Sequence, residues 1–207
     1  MSNCLAIPDS STNVVIPGVA GPNFNPIITT GIAAAKNITI NNGGNLTVNG
    51  GILQISAGVT KNTGGLFDVS TGGTIEFNGL APQPNIKGSW FKNNIVNSLI
   101  ASNTNDLTIS SAANDSLNIL DSLSFGSDNV TLFTSDNLIL ASTASNTARV
   151  ADITRHGTYS YDTIIGKVTV QRYFPALRAW RLVTSPLSNT GSIFSNWQNG
   201  GIYPPVG

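Results

Sequence analysis

Few residues in this chain could do chemistry. One thiol, Cys4, and one imidazole, His156, stand among ten acidic and ten basic side chains in 207 residues. A lone cysteine excludes an intrachain disulfide and a thiolate zinc cluster. His156 lies in Arg155-His156-Gly157 with no second imidazole to share a metal. The chain has no Gly-x-Ser-x-Gly elbow, no Asp-x-Asp-x-Asp calcium loop and no glycine-rich phosphate loop. His156 therefore reads as a loop residue and Cys4 as a plain free thiol. Neither a metal nor a cofactor is expected.

Carboxylates offer the one route to catalysis. Two of them flanking a glycosidic bond make a polysaccharide hydrolase, and Asp68 and Glu76 could share an outer face. A carbohydrate-active or carbohydrate-binding β-helix is thus the alternative reading. Against it, Asp106, Asp115, Asp121, Asp128 and Asp136 each adjoin Asn or Ser at expected corners, where turn formation explains them. A second cluster, Arg172, Arg178, Trp180 and Arg181, offers cations beside an indole for a glycan or an anion, although arginines packed on aromatics at a domain junction are commoner. Thr39, Thr47, Thr108 and Thr131 stand singly, not in the Thr-x-Thr rows that ice binding would need.

Composition narrows the class further. Charged residues make up 10% of the chain, against about 25% in ordinary globular proteins, so a nucleic-acid binder, which needs a dense basic surface, is excluded. Asn, Ser and Thr number 25, 22 and 21; they weaken helix interiors and favour turns and strands. Hydrophobic residues at 40% still provide a continuous core. No apolar run approaches the ~20 residues of a membrane span.

The elements that must position these side chains are short. Triplets of apolar–polar–apolar type recur at Ile38-Thr39-Ile40, Leu46-Thr47-Val48, Leu53-Gln54-Ile55, Phe67-Asp68-Val69, Ile75-Glu76-Phe77, Leu107-Thr108-Ile109, Leu117-Asn118-Ile119, Leu123-Ser124-Phe125 and Val130-Thr131-Leu132, with Leu138-Ile139-Leu140 as an all-apolar variant. Period-two alternation sends the flanking residues to one face. Asn41-Asn42-Gly43-Gly44, Asn49-Gly50-Gly51, Thr63-Gly64-Gly65 and Thr71-Gly72-Gly73 fill the bends, where Gly and Asn tolerate positive φ. Three such sides make a coil of roughly 21 to 24 residues, which stacks as a parallel β-solenoid. A sandwich would space its strands more widely. The expectation is an all-β protein with about six irregular coils over residues 14–153, with inserts at 80–85 and 94–105. Leu46, Val48, Leu107, Ile109, Val130 and Leu132 should point inward. Asn side chains should satisfy backbone groups of neighbouring coils at the corners.

Near Arg149 the charge changes sign: four basic and eight acidic residues precede it, and six basic and two acidic follow from it onward. This places a boundary between a solenoid region, 1–153, and a junction with the start of a second, truncated β module, 154–207. The chain reads as an excerpt of a longer protein.

The segment Val168-Thr169-Val170-Gln171-Arg172-Tyr173-Phe174-Pro175, followed by Arg178-Ala179-Trp180-Arg181-Leu182-Val183-Thr184-Ser185-Pro186 and Ser195-Asn196-Trp197-Gln198-Asn199-Gly200-Gly201, resembles a recurring junction in large secreted surface proteins of Bacteroidetes exported by the type IX secretion system. That resemblance implies a non-enzymatic structural or adhesive segment at the cell surface or outside the cell. Its implied partners are other domains of the same chain, the secretion machinery and surface glycans or proteins. It also implies O-glycosylation at Asp-Ser/Thr-apolar triplets, here on Ser116, Ser122 and Thr163; each triplet also reads as an Asp-initiated turn entering a strand.

Overall fold

The computed structural model describes residues 7–18, 25–151, 153 and 162–175. Within them the chain forms β1 (Asn13–Ile16), β2 (Ile27–Ile28), β3 (Ile32–Ile40), β4 (Asn45–Val48), β5 (Ile52–Lys61), β6 (Leu66–Phe77), β7 (Ile95–Ala101), β8 (Leu107–Thr108), β9 (Leu117–Phe125), β10 (Thr131–Phe133), β11 (Leu138–Leu140), β12 (Arg149–Val150), β13 (Thr163–Ile165) and β14 (Val168–Val170). Every pairing between these strands is parallel. The result is a β-solenoid of about six turns.

Register resolves three rows of strands. One row stacks residues 32–35, 52–55, 74–77, 98–101, 122–125 and 149–150. A second carries β4, the start of β6 and β7, β9, β11 and β14. The third begins with β1 and the end of β3 and finishes with β8, β10 and β13. Paired residues lie 20 apart at Ile32 and Ile52, 22 apart at Ile52 and Thr74, and 24 apart at Thr74 and Ser98. The period lengthens to 32 between Thr131 and Thr163.

Apolar residues from successive coils meet along the axis. Ala33, Leu53, Ile75, Leu99, Leu123 and Val150 form one file. Val69, Val96, Ile119, Leu140 and Val170 form another. Both flanking residues of all ten triplets are buried, including the six named as inward-facing. In a third file Ala101 lies between Phe77 and Phe125, and all three are buried. A small residue between two rings keeps the volume constant from coil to coil, as close packing requires.

The Gly-Gly corners divide their task. The first glycine of each pair has positive φ: 80° at Gly43, 101° at Gly50, 82° at Gly64 and 86° at Gly72. The second sits against the preceding coil. A Cβ on Gly44 would stand 2.8 Å from the Ile16 carbonyl oxygen, and one on Gly65 would stand 2.9 Å from that of Ile40. At Gly73 the Val48 carbonyl is closer still.

Two expectations need correction. Residues 94–105 are not an insert, because 95–101 form β7, paired on both sides with β6 and β9. The register shifts between Val96 and Ser98, so Val96 and Leu99 both point inward and the period-two signal is broken. The actual insertion, after Phe77, holds two short 3-10 turns, Gly88–Trp90 and Lys92–Asn94. It returns Trp90 and Phe91 to the core, with the Phe91 ring 4.9 Å from that of Phe67. Parallel stacking also continues past the boundary expected at residue 153, since β13 lies on β10 and β14 on β11. The charge switch misled because Arg149 is itself part of a coil, bonded to Asp121 of the coil before. The compact unit ends at Pro175; residues 176–207 lie outside the described residues.

These contacts set two expected outcomes. Ala101→Leu should cost about 1–3 kcal/mol by overpacking between Phe77 and Phe125. Gly73→Ala should also destabilise, because its Cβ meets backbone of the coil beneath, whereas Ser124→Ala on the outer face should change little. Denaturant unfolding of the three variants checks the order.

Candidate functional site

Glu76 and Asp68 belong to the same strand, β6, but to different rows of the solenoid. Glu76 faces outward between Gln54 and Ile100 of the adjoining coils. Its Oε2 accepts a hydrogen bond from Gln54 Nε2 at 2.8 Å and its Oε1 accepts one from Ser102 Oγ at 2.8 Å. Asp68 Oδ2 pairs with Lys92 Nζ at 2.6 Å, while Oδ1 accepts from both the Ser70 hydroxyl and the Ser70 N–H. Partial burial pushes the Asp68 carboxyl up, but hydrogen bonds from Lys92 and Ser70 outweigh it and hold the group below the usual range. A glycosidase acid requires the opposite shift.

Asp106, Asp115, Asp121, Asp136 and Asp162 follow the same pattern of bracing one coil to the next. Asp115 is buried and accepts hydrogen bonds from the hydroxyls of Ser89 and Ser110. Its burial penalty is overcome by those two donors, which lower its pKa. Asp106 Oδ1 accepts the Thr131 N–H at 2.9 Å, and Asp136 Oδ1 the Lys167 N–H at 2.9 Å. The Lys167 N–H and ammonium hold Asp136 low. Asp121 Oδ1 meets Arg149 Nη1 at 3.2 Å. Asp162, also buried, receives the Val130 N–H on Oδ1, and its Oδ2 has no hydrogen-bond partner.

Asparagine does the corresponding work for carbonyls. Asn103 Nδ2 donates to Ala81 O, Asn105 Nδ2 to Leu80 O, and Asn137 Nδ2 to Ser110 O and Ala112 O. Two asparagine pairs also link coils through their side chains, Asn37 to Asn13 at 2.8 Å and Asn62 to Asn41 at 3.0 Å.

The residues singled out from sequence are distributed, not gathered. Ser116 and Ser122 are half-buried and Thr163 is exposed. Leu117 and Leu123 point inward, and Ile164 packs partly buried against the core. Ser122 Oγ already donates to Ser98 Oγ at 3.0 Å. The aspartate of each triplet bonds another coil; Asp115 and Asp162 precede strands, as the turn reading expects, whereas Asp121 lies within β9 and not at a corner. Arg172 is exposed, with Nη1 bonded to Gln171 O. Arg178, Trp180, Arg181, His156 and Cys4 lie outside the described residues, so the cation-and-indole cluster cannot be assembled from them. Threonines line up only in pairs, Thr39 with Thr60 and Thr131 with Thr163; Thr47 is flanked by Ile27 and Asp68, and Thr108 by Phe133. Among the described residues no group of three or more His, Cys, Asp or Glu could hold a metal.

Sequence reasoning missed Lys92, Ser89 and Asp162 as partners. A signal for the first two existed, since Asp68 and Lys92 are 24 apart and Ser89 and Asp115 are 26 apart, close to one coil. Asp162 is 32 from Val130, and no regular period would have found it.

The lowered carboxylates make stability pH-dependent with a fixed sign. Asp68, Asp115 and Asp136 have folded values depressed below 3.8, and Asp9, held by the hydroxyls of Ser11 and Thr12, is at about 2. Their contribution is fully present above 3.8 and is lost as pH falls through the depressed folded values. Denaturant midpoints should therefore drop steeply on acidification below that value, and Asp115→Asn should make the drop shallower.

Comparison of the chain with protein-family models, with curated proteins and with solved structures finds no match.

Proposed function

We propose that this chain is a non-enzymatic extracellular segment of a secreted cell-surface protein, an extended scaffold that spaces or presents other domains of the same chain. The observation that carries this reading is the use of its polar groups. Glu76, Asp68, Asp106, Asp115, Asp121 and Asp136 each bond a residue of an adjacent coil. A carboxylate whose lone pairs are satisfied by fixed neighbours stiffens the stack and is poorly placed to move a proton. The junction resembling surface proteins of Bacteroidetes supports the location and the export route.

Incubation with plant and bacterial polysaccharides tests the enzymatic alternative. No cleavage is expected. Cleavage that disappears in Glu76→Gln would replace the scaffold reading with a carbohydrate-active one. Protease shaving of intact cells that make the protein should release its peptides; retention inside the cell would defeat the surface assignment.

The same reading carries glycosylation of Ser116, Ser122 and Thr163. Thr163 is exposed whereas the two serines are half-buried. Peptide mass spectrometry on protein from its native host should find the highest occupancy at Thr163. Unmodified peptides at all three sites would leave only the bracing role of their aspartates.

A further inference from the structure

Three Asn-Gly steps fall within the described residues, Asn42-Gly43, Asn49-Gly50 and Asn78-Gly79. Such steps are chemically labile, since a glycine offers an unhindered backbone nitrogen to the preceding side-chain amide. The fold treats the three differently.

At the first, the attacking group is occupied. Gly43 N–H donates to Gly64 O of the next coil at 3.1 Å, and the Asn42 side-chain oxygen lies against Gly64. At the third, the amide is enclosed. Asn78 Oδ1 is buried without a hydrogen-bond partner, and Gly79 is buried with the Ser56 carbonyl where a Cβ would stand. Asn49 and Gly50 are both exposed. Asn49 N–H is anchored to Ile28 O at 2.7 Å, but neither its side-chain amide nor Gly50 N–H is hydrogen-bonded among the described residues. Gly50 also has φ of 101°, outside the regular strand geometry that would pair its nitrogen.

We infer that Asn49 is a site of spontaneous deamidation in the folded protein, and that the coil stack protects Asn42 and Asn78. Base in the solvent removes the Gly50 amide proton, and the nitrogen attacks Asn49 Cγ. The new C–N bond forms as Cγ–Nδ2 breaks, and ammonia leaves with the proton. Water then opens the cyclic imide to aspartate or isoaspartate, with no change in oxidation state. Either product puts a carboxylate on a corner that was neutral, and isoaspartate also adds a carbon to the backbone path there.

The test is ageing of the purified chain in mildly alkaline buffer, once folded and once in guanidinium, with conversion followed by peptide mass spectrometry at the three sites. In denaturant Asn42 and Asn49, both followed by Gly-Gly, should convert at similar rates. In the folded protein Asn49 should stay near its denatured rate while Asn42 and Asn78 slow by roughly tenfold or more, as protected backbone does. Asn49→Gln should remove the acidic species that ion exchange resolves and peptide mapping assigns to residues 45–51. Slowing of Asn49 as large as that of Asn42, or folded-state conversion that maps to Asn42 or Asn78 as much as to Asn49, would overturn the assignment.

Discussion

Parallel pairing of each coil onto the next, at about 4.8 Å, is the constraint from which the rest of the molecule follows. Strand backbone groups of one coil are satisfied mainly by the coils above and below, so the chain must turn in the same place every time. At a turn the two layers come so close that a side chain has no room. The Gly-Gly pairs answer both needs, one residue adopting positive φ and the next lying against carbonyl oxygen of the earlier coil. Beyond Gly73 no further glycine pair appears in the described coils, and corners are made by Asn and Asp at positive φ, as at Asn94, Asp106, Asn129 and Asp136.

That change of corner chemistry has an energetic consequence. The glycines of a Gly-Gly corner have no side chain to bond with, whereas an Asp or Asn at positive φ can reach the neighbouring coil. Asp106 and Asp136 accept backbone N–H groups that would otherwise lack a partner, and Asn103, Asn105 and Asn137 cover carbonyls. Later coils have longer periods, with 32 residues between Thr131 and Thr163, so their strand ladders are shorter and side chains must satisfy more of the backbone. Leaving such groups unpaired in the interior is costly.

The low charge of the chain and the pairing of most of its described carboxylates have the same origin. Stacked coils place like residues directly above one another, and repeated charges in register repel. Asn and Thr repeat without penalty, and Asp68, Asp121, Asp136 and Asp115 are met by Lys92, Arg149, Lys167 and the hydroxyl of Ser89. A surface built this way favours stiffness, and that property is what the proposed scaffold reading rests on.

The fold class was legible in the sequence because its signal is local. Triplets such as Leu46-Thr47-Val48 and corners such as Asn49-Gly50-Gly51 specify strand, face and bend within a few residues, and the coil length follows from their spacing. The ends of the pattern were less legible. β7 was missed because the shift between Val96 and Ser98 breaks alternation, and β13 and β14 were left out of the solenoid because a long excursion and a reversal of charge separate them from the earlier coils. Only the tertiary structure decided what the polar residues do. Asp68 and Glu76 are equivalent in sequence to catalytic carboxylates; stacking is what sets Lys92 beside one and Gln54 and Ser102 beside the other. Those partners lie about one coil away along the chain, and a carboxylate's role depends on which groups the next coil brings to it.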